Sequence, residues 1–343
     1  MKILRLAALL LCAAALFHTS CSRAPKETTI AYVTNGVDPF WDLCAAGVRI
    51  GEKEFSIKCE VHMPGPEGLA DQQRIMEGLL AKGLNGIAIS PIDADNQTEF
   101  LNDAAKRTKL ITHDADAPKS DRMVYIGTDN YKAGRALGKL VKEAIPEGGE
   151  VMLFVGRLEQ LNARQRRQGV IDELLDRPAQ ELATLKTDPV DAKNLTAEDS
   201  KYTILDTRTD AFDKAKAKSN AEDAMAKHEN LACMVGLFAY NPPMCLDAIK
   251  EADKLDKIKV CGFDEQDPLL QAIKDGHAHG TISQQPWEYG YNSVKVLKAI
   301  LTGDTSVIPA NKFIEVPFKV VTKGNIDEFW AKKKEMAELG KSE

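Results

Sequence analysis

Seven short segments of the chain carry side chains suited to holding a small polar molecule, and each follows a β-rich stretch. Asn35-Gly36-Val37-Asp38-Pro39-Phe40-Trp41 follows the first, Ser90-Pro91-Ile92-Asp93 the next, and Thr112-His113-Asp114-Ala115-Asp116 the third. The other four contain Asn162-Ala163-Arg164, Tyr240-Asn241, Gly262-Phe263-Asp264 and Ser283-Gln284-Gln285. Carboxylates, carboxamides, arginine and aromatic rings dominate, and no Ser–His–Asp or Cys–His pairing stands out for nucleophilic catalysis. An ionised Asp accepts two hydroxyl hydrogen bonds, Arg donates several, and Asn and Gln do both. A flat ring can lay its C–H face on Phe40 or Trp41. Hydrogen bonds to charged groups contribute roughly 1.5–3 kcal/mol each, so about four with stacking reach the ~8 kcal/mol of a micromolar site. The chemistry is that of capturing a neutral polyhydroxylated molecule.

Each residue also has a structural use. Asp38 can cap the helix that Pro39 opens, and Asn241 the one that Pro242 begins. Asp264 can be a cap, Asp116 a loop residue, and Arg164 a surface charge beside Arg166 and Arg167. Phe40 and Trp41 can be core, although neighbours on a helix face different ways, which leaves one for a cleft. His113 would orient Asp114. His277-Ala278-His279 lacks a third metal ligand and reads as a solvated turn. Gly134-Arg135-Ala136-Leu137-Gly138-Lys139 resembles a phosphate loop but is one residue short and has no Ser or Thr after the lysine. No metal, cofactor or ATPase activity is expected.

Strands and helices must alternate to bring these segments together. Strands are expected at 29–34, 57–62, 86–90 and 109–113, with helices at 39–55, 68–82 and 95–107 between them. The rhythm resumes with helix 130–145, strand 150–155, helix 164–176, strand 201–206, helix 211–228, strand 232–237, helix 242–252 and strand 258–263. Strands this apolar, separated by helices, argue for parallel sheets covered on both faces. Two runs of alternation predict an α/β protein of two doubly wound parallel-sheet lobes. In such sheets ligands bind beyond the carboxyl ends of the strands. Residues 177–200 are polar, contain prolines and lack a period, and are expected to form a long surface connection.

Bulk properties narrow the function. The 343 residues suggest about two domains. Lys and Arg total 45 against 51 Asp and Glu, a net charge of −6 that argues against nucleic acid as a partner. Lys2 and Arg5 precede the apolar run Leu6 to Phe17, which is too short to span a bilayer and suits a secretory signal at 1–20. Thr19-Ser20-Cys21 resembles a bacterial lipoprotein signal, which implies lipidation of Cys21 and a polar tether over 21–28. His18 stands where that signal usually has a Leu-like residue, and ordinary signal cleavage nearby is the alternative. Of seven cysteines, Cys44, Cys59, Cys233, Cys245 and Cys261 remain, an odd number without CxxC spacing. They are expected to be buried small hydrophobes, with a bridge between two of them open.

From residue 29 to 323 the chain resembles the periplasmic sugar-binding proteins of the ribose/galactose-binding type, the substrate-binding subunits of ABC importers. The resemblance rests on Asp38-Pro39-Phe40-Trp41, Ile111-Thr112-His113-Asp114, Tyr125-Ile126-Gly127-Thr128-Asp129-Asn130, Val260-Cys261-Gly262-Phe263-Asp264 and Thr281-Ile282-Ser283-Gln284-Gln285-Pro286. It implies two lobes joined by a three-segment hinge, 29–129 with 285–316 and 130–284 with 317–343, closing on the ligand. Implied ligand contacts are Asp38, Phe40, Trp41 and Asp114 from the first lobe, and Arg164, Phe212, Asn241, Asp264 and Gln284 from the second lobe and hinge. Asp116 joins them as a further acceptor. Ribose binders commonly have Asn for Asp38 and Arg for Ala115, which puts ribose itself in doubt and makes an amino or cationic ligand conceivable. The expected protein is a monomer, periplasmic or on the cell surface and lipid-anchored, that passes a sugar to an ABC permease. Alternatives are a ligand-sensing module for a membrane receptor and, remotely, a glycoside hydrolase that uses its carboxylates.

Overall fold

Two six-stranded sheets, each covered by helices, take up the alternation in a computed structural model that describes residues 28–341. The expected signal, Cys21 and most of the tether lie outside the described residues. The first lobe opens with β1 (Thr29–Val33), α1 (Pro39–Phe55), β2 (Lys58–His62), α2 (Leu69–Lys82) and β3 (Gly86–Ile89). It continues with α3 (Ala94–Ala105), β4 (Lys109–His113) and β5 (Tyr125–Gly127). The second lobe then runs through α4 (Asn130–Ala144), β6 (Gly149–Val155), α5 (Leu161–Leu174), β7 (Tyr202–Thr209) and α6 (Lys214–Lys227). It goes on with β8 (Leu231–Gly236), α7 (Asn241–Glu251), β9 (Lys259–Phe263), α8 (Asp267–Asp275) and β10 (Gly280–Ser283). The chain returns for α9 (Pro286–Leu301) and β11 (Phe313–Glu315), then crosses again for β12 (Lys319–Thr322) and α10 (Ile326–Leu339).

The sheet orders are β2-β1-β3-β4-β5-β11 and β7-β6-β8-β9-β10-β12, so each strand of one lobe has a counterpart in the other. The sheets are parallel as expected apart from one edge, where β12 runs antiparallel to β10 with Ile282 opposite Val320. β10 runs toward the hinge, whereas β12 enters from it after only residues 316–318. A parallel pairing would need a crossover of a dozen residues or more.

Inner strands are apolar on both faces, as in β3, where all of Gly86–Ile89 is buried. Side chains of Asp38, Asp93, Asp129 and Asp213 cap α1, α3, α4 and α6, each accepting a first-turn N–H. Glycines let helices touch backbone to backbone. A Cβ on Gly134 would lie 2.2 Å from the Arg166 carbonyl oxygen, and one on Gly169 2.2 Å from that of Tyr131. The run that superficially looked like a phosphate loop is therefore the seam between α4 and α5, and it sets the position of Arg166.

The segment 177–200 has one short 3-10 turn, Leu182–Thr184, and packs on α5 through polar contacts. Asp188 N donates to Gln168 Oε1 at 2.6 Å, and Gln180 Nε2 donates to Asp172 at 2.8 Å. α10 packs on α8, with Lys333 Nζ 2.6 Å from Asp267, while Gly340 abuts Ala46 of α1. Cys44, Cys59, Cys233, Cys245 and Cys261 are buried and unbridged. Among the described residues no helix is long and apolar enough to cross a membrane, and no cluster could hold a metal.

Candidate ligand-binding site

A cavity of about 680 Å³ lies between the lobes, at the carboxyl ends of both sheets. β4 and β9 hold equivalent places in their sheets, and each is followed directly by an aspartate with positive φ: Asp114 at 56° and Asp264 at 66°. Non-glycine residues enter this region only when their surroundings hold them there. Both are held in the same way. Asp114 N donates to Ile126 O at 3.0 Å and Asp264 N to Ile282 O at 2.8 Å. The Asp114 carbonyl accepts from Tyr125 Oη, and that of Asp264 from Thr281 Oγ1, both at 2.7 Å. Both carboxylates thus come to the same cavity from opposite lobes.

Arg166 stands with them, buried with only 1% of its surface exposed. Nε donates to Asn130 Oδ1 at 2.8 Å, Nη1 to Leu237 O at 3.0 Å, and Nη2 to Gln284 Oε1 at 2.5 Å. Its guanidinium lies 4.3 Å from the Phe263 ring centroid and 4.0 Å from Asp114 Oδ1. Asp114 Oδ2 accepts from Ser90 Oγ at 3.0 Å and Asn35 Nδ2 at 3.4 Å, and Asp264 Oδ1 from Gln284 Nε2 at 2.7 Å. Burial pushes the Asp114 carboxyl up to about 6, with Arg166 and then the Ser90 hydroxyl pulling it back. Asp264 is raised by burial, against the pull of Arg166 and Gln284. Its neighbour Glu265, also buried, is raised by burial and then by Asp264. One guanidinium therefore faces two desolvated carboxylates.

Aromatic rings wall the cavity. Phe40 and Trp41 meet edge to face at 4.8 Å, and Phe212 stacks on Phe238 at 5.8 Å. Phe212 has a φ of 68°, and its N–H donates to Asp210 Oδ1 at 2.9 Å. His113 Nε2 donates to Val33 O at 3.1 Å, and the ring stacks on Tyr32 at 3.9 Å. Burial drops its pKa to about 3, so it stays neutral behind the wall, edge-on to Trp41.

Of the residues singled out from sequence, Asp38, Phe40, Trp41, Asp114, Phe212, Asp264 and Gln284 line this cavity. Asp116, Arg164 and Asn241 do not. Asp116 grips Arg122 through two contacts of 2.6 Å and accepts from Thr112 at 2.7 Å. Asn241 is fully buried and donates to Asp210 Oδ2 at 2.8 Å, bracing the loop that carries Phe212. Arg164 Nη1 is taken by the carbonyls of Leu158 and Glu159, at 3.0 and 2.9 Å. Two helical steps are about 200°, so Arg164 and Arg166 leave α5 on opposite sides and only one can face the cleft. The cavity also gains Asn35, Arg157, Gln160, Asn162, Lys214, Phe238 and Tyr240. Asn35, Arg157, Asn162 and Tyr240 already stood at strand ends in the sequence, whereas Arg166, which also lines the cavity, is found only once the phase of α5 is known.

The periplasmic binding protein domain family matches residues 30–305. The chain is 25% identical over 303 residues to the ribose import binding protein RbsB of Salmonella typhimurium, covering 87% of this chain and 93% of that one. It is 22% identical to the D-ribose/D-allose-binding protein of Pseudomonas aeruginosa, over 90% of this chain and 96% of that one. A solute-binding protein of an ABC transporter from Burkholderia graminis, solved with D-arabinose, superposes with a TM-score of 0.76 at 26% identity. That match covers 88% of this chain and 97% of the other. The family is one of binding proteins, not enzymes, and the match runs through both lobes and every strand except β11 and β12. The chain belongs to the periplasmic binding protein domain family.

Proposed function

We propose that the chain captures a sugar between its lobes and hands it to an ABC-type permease. The observation that carries this reading is the juxtaposition of Asp114, Arg166 and Asp264 between facing aromatic walls. Asp114 and Asp264 accept hydroxyl hydrogens, Arg166 donates through the N–H groups the protein leaves free, and Phe40, Trp41 and Phe238 cover the ring. Gln284 has both ends of its amide engaged by Arg166 and Asp264, which suits a positioning role. Relatives named for ribose and allose, and a neighbour solved with D-arabinose, support a monosaccharide class. The lobes divide at 129/130, 284/285 and 316/317, and the hinge there closes the cleft on its ligand. The protein acts outside the cytoplasm as a monomer, anchored by a lipid on Cys21.

A sugar panel followed by thermal shift and Trp fluorescence tests the reading. Ligand at 100 times its Kd adds about 2.7 kcal/mol of stability. Asp114→Ala and Asp264→Ala abolish that shift while still unfolding cooperatively; a wild-type response in both would defeat the assignment. Cys21→Ser moves the protein from the membrane fraction to the soluble one, and an unchanged distribution excludes the anchor.

A further inference from the structure

Arg166 and Arg157 stand at opposite ends of one aromatic ladder. The Arg166 guanidinium lies 5.6 Å from the Phe238 centroid, Phe238 stacks on Phe212 at 5.8 Å, and the Arg157 guanidinium lies 5.5 Å from Phe212. Three of the inner cation's five N–H groups go to protein acceptors, as described above, and its charge faces Asp114 and Asp264. The outer one lines the cavity, and among the described residues it has neither a hydrogen-bond acceptor nor a carboxylate within ion-pair distance.

Other donors on the same loop are also unmatched. Gln160 lines the cavity with 2% of its surface exposed, and its buried Nε2 has no partner. Asn162, also on the wall, uses Oδ1 to accept from Ala163 N at 2.9 Å, while its Nδ2 meets no protein acceptor. Both residues stand where α5 begins; Asn162 Oδ1 takes the Ala163 amide, and the N-cap residue Gln160 makes no capping hydrogen bond. First-turn amides and the positive end of a helix favour an anion. The nearby acids are already engaged. Asp38 is bonded by Phe40 N and Gln266 with Lys214 at 3.7 Å, and Asp213 caps α6 through Lys216 N at 3.1 Å. Arg157 is thus a cation on this wall that no carboxylate of the described residues pairs, while Asp213 is turned to its own helix amides. Space agrees, since about a dozen non-hydrogen atoms at close-packed density fill roughly a third of a cavity of about 680 Å³.

Resting on the sugar-capture reading, we propose that the ligand is a sugar bearing an anionic substituent, a carboxylate or a phosphate. The ring lies between Asp114, Arg166 and Asp264, and the anion lies at Arg157, Gln160 and the start of α5. A neutral monosaccharide would leave the half-buried Arg157 without a charged partner and forgo the charge-assisted hydrogen bonds an anion makes there.

The test is calorimetric titration of the full-length protein with neutral aldoses, the matching uronates and the matching phosphate esters, D-glucose with D-glucuronate and D-ribose with D-ribose 5-phosphate among them. Inorganic phosphate serves as the ring-free probe. At least one charged sugar should bind tenfold or more tighter than its neutral partner, and the uronate and ester arms show which anion is preferred. That margin should shrink between about 20 mM and about 500 mM NaCl. Arg157→Gln should collapse it to less than threefold, and Arg157→Lys should keep most of it. Neutral sugars binding as well as or better than every charged partner would overturn the inference and leave the sugar reading intact. So would a margin that survives in Arg157→Gln. No binding by any member of the panel would overturn both.

Discussion

Gln266, the residue before α8 in the second lobe, donates its amide to both carboxylate oxygens of Asp38 in the first, at 3.0 and 3.1 Å. Asp38 at the same time accepts from Phe40 N at 3.0 Å and so caps α1. A residue expected to hold ligand is thus tied to its own helix and to the opposite lobe. The contact joins residues of the two proposed lobes at the cavity wall, and a motion that parted them would break it.

Gln266→Leu should therefore shift the ligand-free protein toward the open form and raise the Kd for its sugar about ten- to a hundredfold, since hydrogen bonds to charged groups contribute roughly 1.5–3 kcal/mol and about 1.4 kcal/mol is tenfold. Small-angle scattering should report a larger radius of gyration without ligand. A variant with unchanged scattering and affinity would rule out a role for this contact in closure.

Arg166 is the cation for two buried carboxylates and also lies against the Phe263 ring. Arg166→Met should destabilise the fold by about 3–5 kcal/mol in urea denaturation at pH 8, because it leaves buried charge uncompensated. The deficit should narrow at pH 5, where the carboxyls protonate. A loss below about 1 kcal/mol at pH 8 would mean that the carboxylates do not depend on this guanidinium.

The raised carboxyls set a pH dependence. Asp114 titrates near 6 in the folded chain, and Asp264 and Glu265 are also raised by burial, whereas unfolded carboxyls titrate near 4. The folded state therefore binds more protons than the unfolded one, and stability rises as pH falls through these folded values. His113, lowered to about 3, opposes this below about 6.5, where the unfolded imidazole gains a proton that the folded one refuses. The ligand-free melting temperature should climb from pH 8 toward 6.5 and flatten below. Asp264→Asn should remove part of the climb, and a melting temperature that falls over that range would contradict the buried-carboxylate picture.

Asp114 and Asp116 are two residues apart, yet they should separate cleanly. Asp114→Asn should remove ligand binding with little loss of stability. Asp116→Asn should leave affinity within about twofold but cost roughly 1–3 kcal/mol, because the buried Arg122 keeps only neutral partners. Calorimetry and urea unfolding of both variants decide this, and loss of binding in Asp116→Asn would return that residue to the site.

Much of this was legible in the chain itself. Apolar strands alternating with helices determined two α/β lobes, and the strand-end rule pointed to Asp114 and Asp264. Helix boundaries were less legible. α5 begins at Leu161, ahead of the expected 164, and the strand β7 reaches Thr209, so Asp210 to Phe212 form a loop instead of opening a helix.

What sequence alone determined was therefore the order of elements and the segments that end at the cleft, because hydrophobic period and capping residues act locally. Tertiary structure alone decided which side chains face the cavity. Arg166 displaces Arg164 because the seam of Gly134 and Gly169 fixes how α5 lies on α4. Asn241 turns to Asp210, Asp116 to Arg122 and Asp38 to Gln266, each choosing a partner brought near by folding. Such choices depend on groups distant along the chain, and no local pattern encodes them.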